Sequence, residues 1–390
     1  VTAGLAVVLV LLCAVGALMG FRDAPNAAAL PVRYRALTPR GALLLTGAVN
    51  TVGALLGIGL ITLSVHYFTS PAVRSEIGPL AVGVSCAVTL VWGLLLWWRR
   101  LPSSSTHALI SALAGSHLAV RLSLDVDVAH TIFDLVRAEV LLSLLLSPLI
   151  AWALARLLTA PAMRLATRGT TVNVQHRARV ALGISASAMA MGHGLQAGQR
   201  MGVLWAAVLV GSGSVLAPDA LTAEFVGGAF LFAFAVGLGT LGGAWRIAWT
   251  LTERLVRLDP LRASVAAVIP AGLLFVGSLV FHLPLSSTHT ATAAIVGAGQ
   301  TQTYASVRWP TVLRVVGWWV LTPVACALLG LLGTLALVPL PEAAPDDDAR
   351  PRRRRDPARR AAGRGRGWSA GRLSRSGRRR SPRSAGSRGC

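Results

Sequence analysis

The chain contains no lysine: all 37 of its cations, over 390 residues, are arginines. Charge of either sign is scarce, at 13% of residues against roughly 25% in a soluble domain. Cysteine is nearly absent. Cys13, Cys86 and Cys326 stand singly in apolar runs and Cys390 is the last residue, so no disulfide or metal-ligand spacing appears. The internal thiols read as small apolar fillers. The first twenty residues lack the basic start and small-residue cleavage site of a secretory leader. They read as a first membrane helix. These shortages argue against a soluble enzyme and against a free nucleic-acid binder.

What is present is hydrophobicity, 54% of residues with a mean hydropathy of +0.63. A formal charge of +22 sits awkwardly with that. Position resolves the conflict. Residues 341–390 hold 16 arginines and five acids, whereas residues 1–340 spread 21 arginines and ten acids over nearly seven times the length. Half the net charge is in a tail, and the body reads as an all-α polytopic membrane protein with basic loops.

Apolar windows fall near 3–20, 41–65, 79–98, 135–158, 201–217, 224–245, 264–281 and 311–338. About 20 apolar residues span the hydrocarbon core, so these predict eight conventional spans. Segments 102–120 and 284–300 have nearly the right length but open with polar clusters, Pro102-Ser103-Ser104-Ser105-Thr106-His107 and Pro284-Leu285-Ser286-Ser287-Thr288-His289. Two more polar interruptions are expected: 20–26 follows the first span, and 192–200 breaks the segment 180–213. Polar backbone at membrane depth needs protein or a cavity around it, so four breaks point to a substrate pathway.

The clusters at 102 and 284 lie 182 residues apart and match at five positions of six. That is an internal duplication, and paired interrupted segments in two halves point to a transporter site. The expected organisation is a first transmembrane repeat over 1–158, a basic cytoplasmic linker over 159–179, a second repeat over 180–340 and a disordered tail over 341–390. Arginines at 33–40, 156–179 and 246–262 mark cytoplasmic loops by the positive-inside rule, and 68–78, 121–130 and 214–223 are expected outside. Closing that topology requires 102–120 to cross, or an extra crossing after it. As a re-entrant hairpin it would put the central basic loop outside.

Each S-S-T-H cluster carries N-cap residues and a proline suited to a helix start. A helix start offers free N–H groups and the positive end of its dipole, a ready oxyanion site. Ser104, Ser105, Thr106, Ser286, Ser287 and Thr288 are the candidate ligands, against capping alone. His107 and His289 read as packed residues, with a proton relay as the alternative. Asp23 is a lone acid in an apolar neighbourhood. With Asn26 and nearby carbonyls it suits a small hard cation; it also suits an ion pair with Arg22, or both charges could lie at the membrane surface.

These residues resemble the inorganic phosphate transporter (PiT) family. The resemblance rests on Gly20-x-x-Asp23-x-x-Asn26, on Arg35-Ala36-Leu37-Thr38-Pro39 and on the two P-x-S-S-T-H copies. A further element, His193-Gly194-x-Gln196-x-x-Gln199-Arg200-Met201-Gly202, is similar to the family's H-G-x-N-D-x-Q-K-x-M-G. It covers residues 5–338 and implies two inverted repeats with broken or re-entrant helices. It also implies phosphate symport with sodium or protons in the plasma membrane. On this resemblance Asp23 and Asn26 hold the cation. Ser104, Ser105, Thr106, Ser286, Ser287, Thr288 and Gln199 belong to the site; Arg22, which departs from the family pattern, either pairs with Asp23 or faces the anion as a phosphate ligand.

The departures are Arg22 for Asn, Gln196 for Asn, and Ala197 for Asp; one residue is also missing between Arg200 and Met201. The first and third make the site two charge units more positive, which favours an anion and disfavours two bound cations. Altered cation coupling is therefore expected, with Arg22 as a fixed counter-charge. A degenerate, non-transporting copy is the duller alternative.

No cofactor motif appears, and no acid–base pair accompanies the serines, so an enzyme is not expected. The partners expected are inorganic phosphate and the bilayer, with anionic lipid at the basic tail and a homo-oligomer as further candidates. A membrane sensor or scaffold on a transporter fold, and a carrier of another tetrahedral oxyanion, are the competing functions.

Overall fold

Apolar runs this long, without strand-like alternation, have one means of satisfying their backbone in lipid, which is the helix. In the computed structural model every regular element among the described residues is helical. The structure describes residues 3–60, 78–123, 138–213, 223–281 and 283–337. The 341–390 tail and most of the three loops expected outside lie beyond those residues.

The elements in chain order are α1 (Ala3–Arg33), α2 (Pro39–Gly59), α3 (Gly78–Trp98), α4 (Ser105–Ser123), α5 (Ala138–Ala166) and α6 (Thr171–Gly211). There follow α7 (Ala223–Leu241), the short α8 (Trp245–Trp249) with a π-helical turn at Thr250–Arg254, α9 (Pro260–Leu279), α10 (Ser287–Gly299) and α11 (Trp309–Leu337). Seven of the described helices are long and apolar enough to cross a membrane: α1, α2, α3, α5, α7, α9 and α11. The chain is a multi-pass membrane protein.

Two expected breaks are absent. Helix α1 runs through residues 20–26 with Pro25 and Pro31 inside it, and α6 runs unbroken through 192–200 over 41 residues. Residues 201–211 of the apolar window 201–217 are therefore the end of α6 and do not begin a separate helix. Polar side chains forced no break because the surrounding helices supply their partners. The other two breaks are real. Residues 101–104 and 283–286 are non-helical, each leading into a helix, α4 or α10.

Helix α6 has lower hydropathy than the spans because it packs against α1, α2, α7 and α9 rather than lipid. Small residues set that packing. A methyl group on Gly53 or Gly57 of α2 would strike the backbone of α6, and one on Gly194 or Gly198 would strike α2. Two small-xxx-small stripes thus let the helices touch backbone to backbone. On the outside, Val91, Leu145, Leu149, Leu313, Val320 and Leu328 are each more than half exposed. In water they would form an aggregating surface; in hydrocarbon they are the solvent-facing side.

The helix pairs are reciprocal between the halves. Helix α1 packs on α7, and α6 packs on α2; α4 packs on α11, and α10 packs on α5. Each helix that follows an S-S-T-H turn therefore lies against a long helix of the other half. This brings the two turns together.

Candidate functional site

The duplicated turns use the same cap. The Ser104 hydroxyl accepts the His107 backbone N–H at 3.2 Å, and the Ser286 hydroxyl accepts that of His289 at 3.2 Å. The two helix starts meet: the His107 and His289 rings are 4.5 Å apart, and His289 stacks on Trp319 at 4.0 Å. The Trp319 indole also donates to the Pro102 carbonyl at 2.8 Å, so one side chain braces both turns. Ser104, Ser105, Thr106, Ser286, Ser287 and Thr288 are all buried. Two dipole ends of like sign, buried side by side, repel each other and attract an anion.

Helix α1 presents Arg22 to the first turn and both Asp23 and Asn26 to the second. Arg22, 2% exposed, donates through Nη2 to the Ser103 carbonyl at 3.0 Å in the first turn. Asp23 and Asn26 meet the second turn. The Thr288 hydroxyl donates to Asp23 Oδ1 at 2.8 Å and accepts from Asn26 Nδ2 at 3.0 Å. Asn26 Nδ2 also lies 3.4 Å from Ser287 Oγ and 3.5 Å from Asp23 Oδ1. Arg22 and Asp23 form no ion pair with each other, and both are buried, not at a surface. Two of the three readings open for Asp23 are thereby removed.

Three residues that the sequence did not single out complete this network. His193 Nε2 is 3.0 Å from Asp23 Oδ2, and His193 Nδ1 is 3.0 Å from Asn50 Oδ1. Asn50 Nδ2 donates to Thr240 Oγ1 at 2.8 Å, and Thr240 donates to the Val236 carbonyl at 2.9 Å. The order of donors fixes the tautomer. Thr240 has spent its proton on Val236, so it accepts from Asn50. The Asn50 oxygen is then left to accept from His193 Nδ1–H. Nε2 is thereby left facing the Asp23 carboxylate. The neighbouring cavity, lined by Asp23, Asn26, Asn50, His193 and Ser287 among others, has about 10 Å³, the room of roughly one water. It suits a small cation or proton carrier, not an oxyanion.

His193 was visible in the sequence only as the first letter of the second-half motif. Asn50 and Thr240 carried no signal, because single polar residues in apolar helices most often serve packing.

The second-half motif is arranged differently. Gln196 Nε2 donates to Ser278 at 3.0 Å, and its Oε1 accepts from the Leu285 backbone N–H at 3.1 Å and from Arg200 Nη1 at 3.3 Å. Its carboxamide is committed to structure. Ala197 is fully buried and offers no ligand. The carboxamide nitrogen of Gln199 is buried without a partner, as are the Arg22 and Arg200 Nε atoms and the Ser105 hydroxyl.

Ion pairs gather at the other end of α1. Arg33 Nε lies 2.6 Å from Glu253 on the π-helical turn, and Arg257 joins the same carboxylate at 3.2 Å. Asp259 caps α9, accepting the Arg262 N–H at 2.9 Å and pairing with its guanidinium. Burial would raise the Asp259 carboxyl, but the Arg262 amide and guanidinium and the Tyr304 hydroxyl together hold it below its usual value. Burial and this bond to Asp259 push the Tyr304 hydroxyl up to about 12.

Residues 19–330 match the family described as the phosphate transporter family. A "Probable low-affinity inorganic phosphate transporter" of Bacillus subtilis is 28% identical over 333 residues, 85% of this chain and 96% of that protein. Its namesake in Rhizobium meliloti is 31% identical, over 81% of this chain and 91% of that protein. A solved structure titled "The sodium-dependent phosphate transporter" shares the fold, with a TM-score of 0.67 at 15% identity. The alignment covers 86% of this chain and 99% of that one.

Proposed function

The chain belongs to the phosphate transporter family, and on that premise we propose that it carries inorganic phosphate across the plasma membrane in symport with one cation. The observation that carries this reading is the meeting of two capped helix starts, with unpartnered buried donors around them. Phosphate is held between the turns by Ser105, Thr106 and Ser287 with Gln199 and Arg22, while the Thr288 hydroxyl is committed to Asp23. Ser104 and Ser286 set the turns by capping. The reciprocal helix pairs support two related halves that rock against each other around this point.

The coupling ion is a proton, shared by Asp23 and His193. The donor order through Thr240 and Asn50 leaves a place for one. A second cation has no carboxylate to hold it, since position 197 is alanine and Gln196 is committed elsewhere. Named relatives are transporters and not enzymes.

Uptake of labelled phosphate into proteoliposomes tests the reading. Wild type should accumulate phosphate, and Ser105→Ala or Ser287→Ala should each lower it. Binding without flux would instead favour the sensor, and full inhibition by sulfate or arsenate at equal concentration would make the substrate class broader than phosphate.

A further inference from the structure

Burial of charge in this protein is selective. Among the described residues five charged side chains are buried: Arg22, Asp23, Arg200, Glu253 and Arg262. Glu253 has Arg33 and Arg257 beside it, and Arg262 has Asp259. The remaining three lie together at the centre. They are two guanidiniums and one carboxylate, and neither arginine forms an ion pair among the described residues. An isolated buried cation is costly unless something of opposite charge completes it. The centre is short of one negative charge, and the shortage is built from arginine, which does not deprotonate.

Arg22 is accounted for by its bond to the first turn. Arg200 is not. It is 4% exposed on α6, and its hydrogen-bond partner is the neutral oxygen of Gln196 at 3.3 Å. Its Nε has no partner, and neither has the neighbouring Gln199 Nε2. Arg200 feels the charge of Asp23. Gln196 bridges it to the backbone N–H of Leu285, the residue before the second cap. A guanidinium is thus held beside the second turn as Arg22 is held beside the first.

We propose that Arg200 is a direct oxyanion ligand and, with Arg22, makes the pair of fixed charges that sets which anion the site accepts. Arg22 is tied to the first turn through Ser103 and Arg200 to the second through Gln196, and planar forks suit tetrahedral oxyanions better than an ammonium does. Against one carboxylate they supply a net single positive charge without any bound metal. The occupant that neutralises the centre is a singly charged oxyanion, or a doubly charged one together with one proton. An uncharged tetrahedral analogue gains nothing from either arginine. Gln196 is the positioning residue that holds Arg200 in place.

This inference rests on the phosphate reading, so wild-type uptake comes first; its absence would remove that reading and not this one alone. Given uptake, Arg200→Gln should raise the KM for phosphate by about tenfold or more, the usual scale for losing a bond to a charged group. Arg200→Lys should recover a substantial part of that loss. Gln196→Ala should raise the KM by a smaller factor with the charge still present. Thermal melting of each variant in detergent separates binding from folding. An unchanged KM in Arg200→Gln overturns the proposal. So does a loss of equal size in the glutamine and lysine variants with both melting lower than wild type, since that pattern marks a packing role.

Discussion

The two S-S-T-H turns have nearly the same sequence and the same capping bond, yet they face different chemistry. The second turn meets Asp23 and Asn26 through Thr288 and Ser287. From α1 the first meets a guanidinium, and through its backbone. The difference originates in α1, which passes once between two related turns and cannot present the same residue to both. Of the two similar turns, one is thereby tied to a buried carboxylate and the other to a buried guanidinium. Capping is a local property and survived the duplication; the choice of partner belongs to the helix between.

The sharpest way to break that comparison is Asp23→Asn. It removes the charge that Thr288, Asn26 and His193 surround, and gradient-driven uptake should fall by at least about a hundredfold. Facilitated exchange of phosphate for phosphate should survive better, because the anion cradle is intact. Equal loss of both would mean Asp23 serves the anion directly.

A smaller effect separates the turns themselves. Thr288→Val removes a donor to a buried carboxylate, a cost of about 1–3 kcal/mol, and should alter the cation dependence of uptake. Ser105→Ala should alter the KM for phosphate and leave the cation dependence as it was. If both variants change the same parameter, the turns are not specialised.

Packing predicts a change in stability. Gly198→Val on α6 places a side chain against the α2 backbone, and overpacking of this kind costs about 1–3 kcal/mol. Melting in detergent should drop by several degrees. Gly183→Val, where a methyl group would meet open space, should melt like wild type.

The smallest effect lies at the end of α9. Asp259 is held below its usual value by Arg262. A carboxylate with a depressed folded-state value contributes stability that is present above about pH 4, its unfolded value, and is lost as pH falls through the folded value. Melting of wild type should therefore approach that of Asp259→Asn in acid and exceed it near neutrality. A constant difference at all pH values would contradict the assignment.

Much of this was legible in the sequence. The hydroxyl turns announced themselves because the proline and caps are local and the copy is repeated. The lone acid at Asp23 stood out against apolar neighbours. The polar stretches 20–26 and 192–200 misled, because a helix interior accepts polar side chains whenever other helices supply partners, and that supply is a tertiary fact. Asn50 and Thr240 were invisible for the same reason: their roles exist only when α2 and α7 bring them to His193. Arg200 showed itself as a basic residue within a motif, but its lack of a counter-charge appears only when burial is known.

The central claim is that one proton, and no sodium, accompanies phosphate. Proteoliposomes loaded without sodium and given an inward proton gradient test it directly, with labelled phosphate as the readout. The account predicts accumulation driven by the proton gradient alone and unaffected by adding external sodium. Accumulation that requires sodium, and that rises with the square of its concentration, would contradict it.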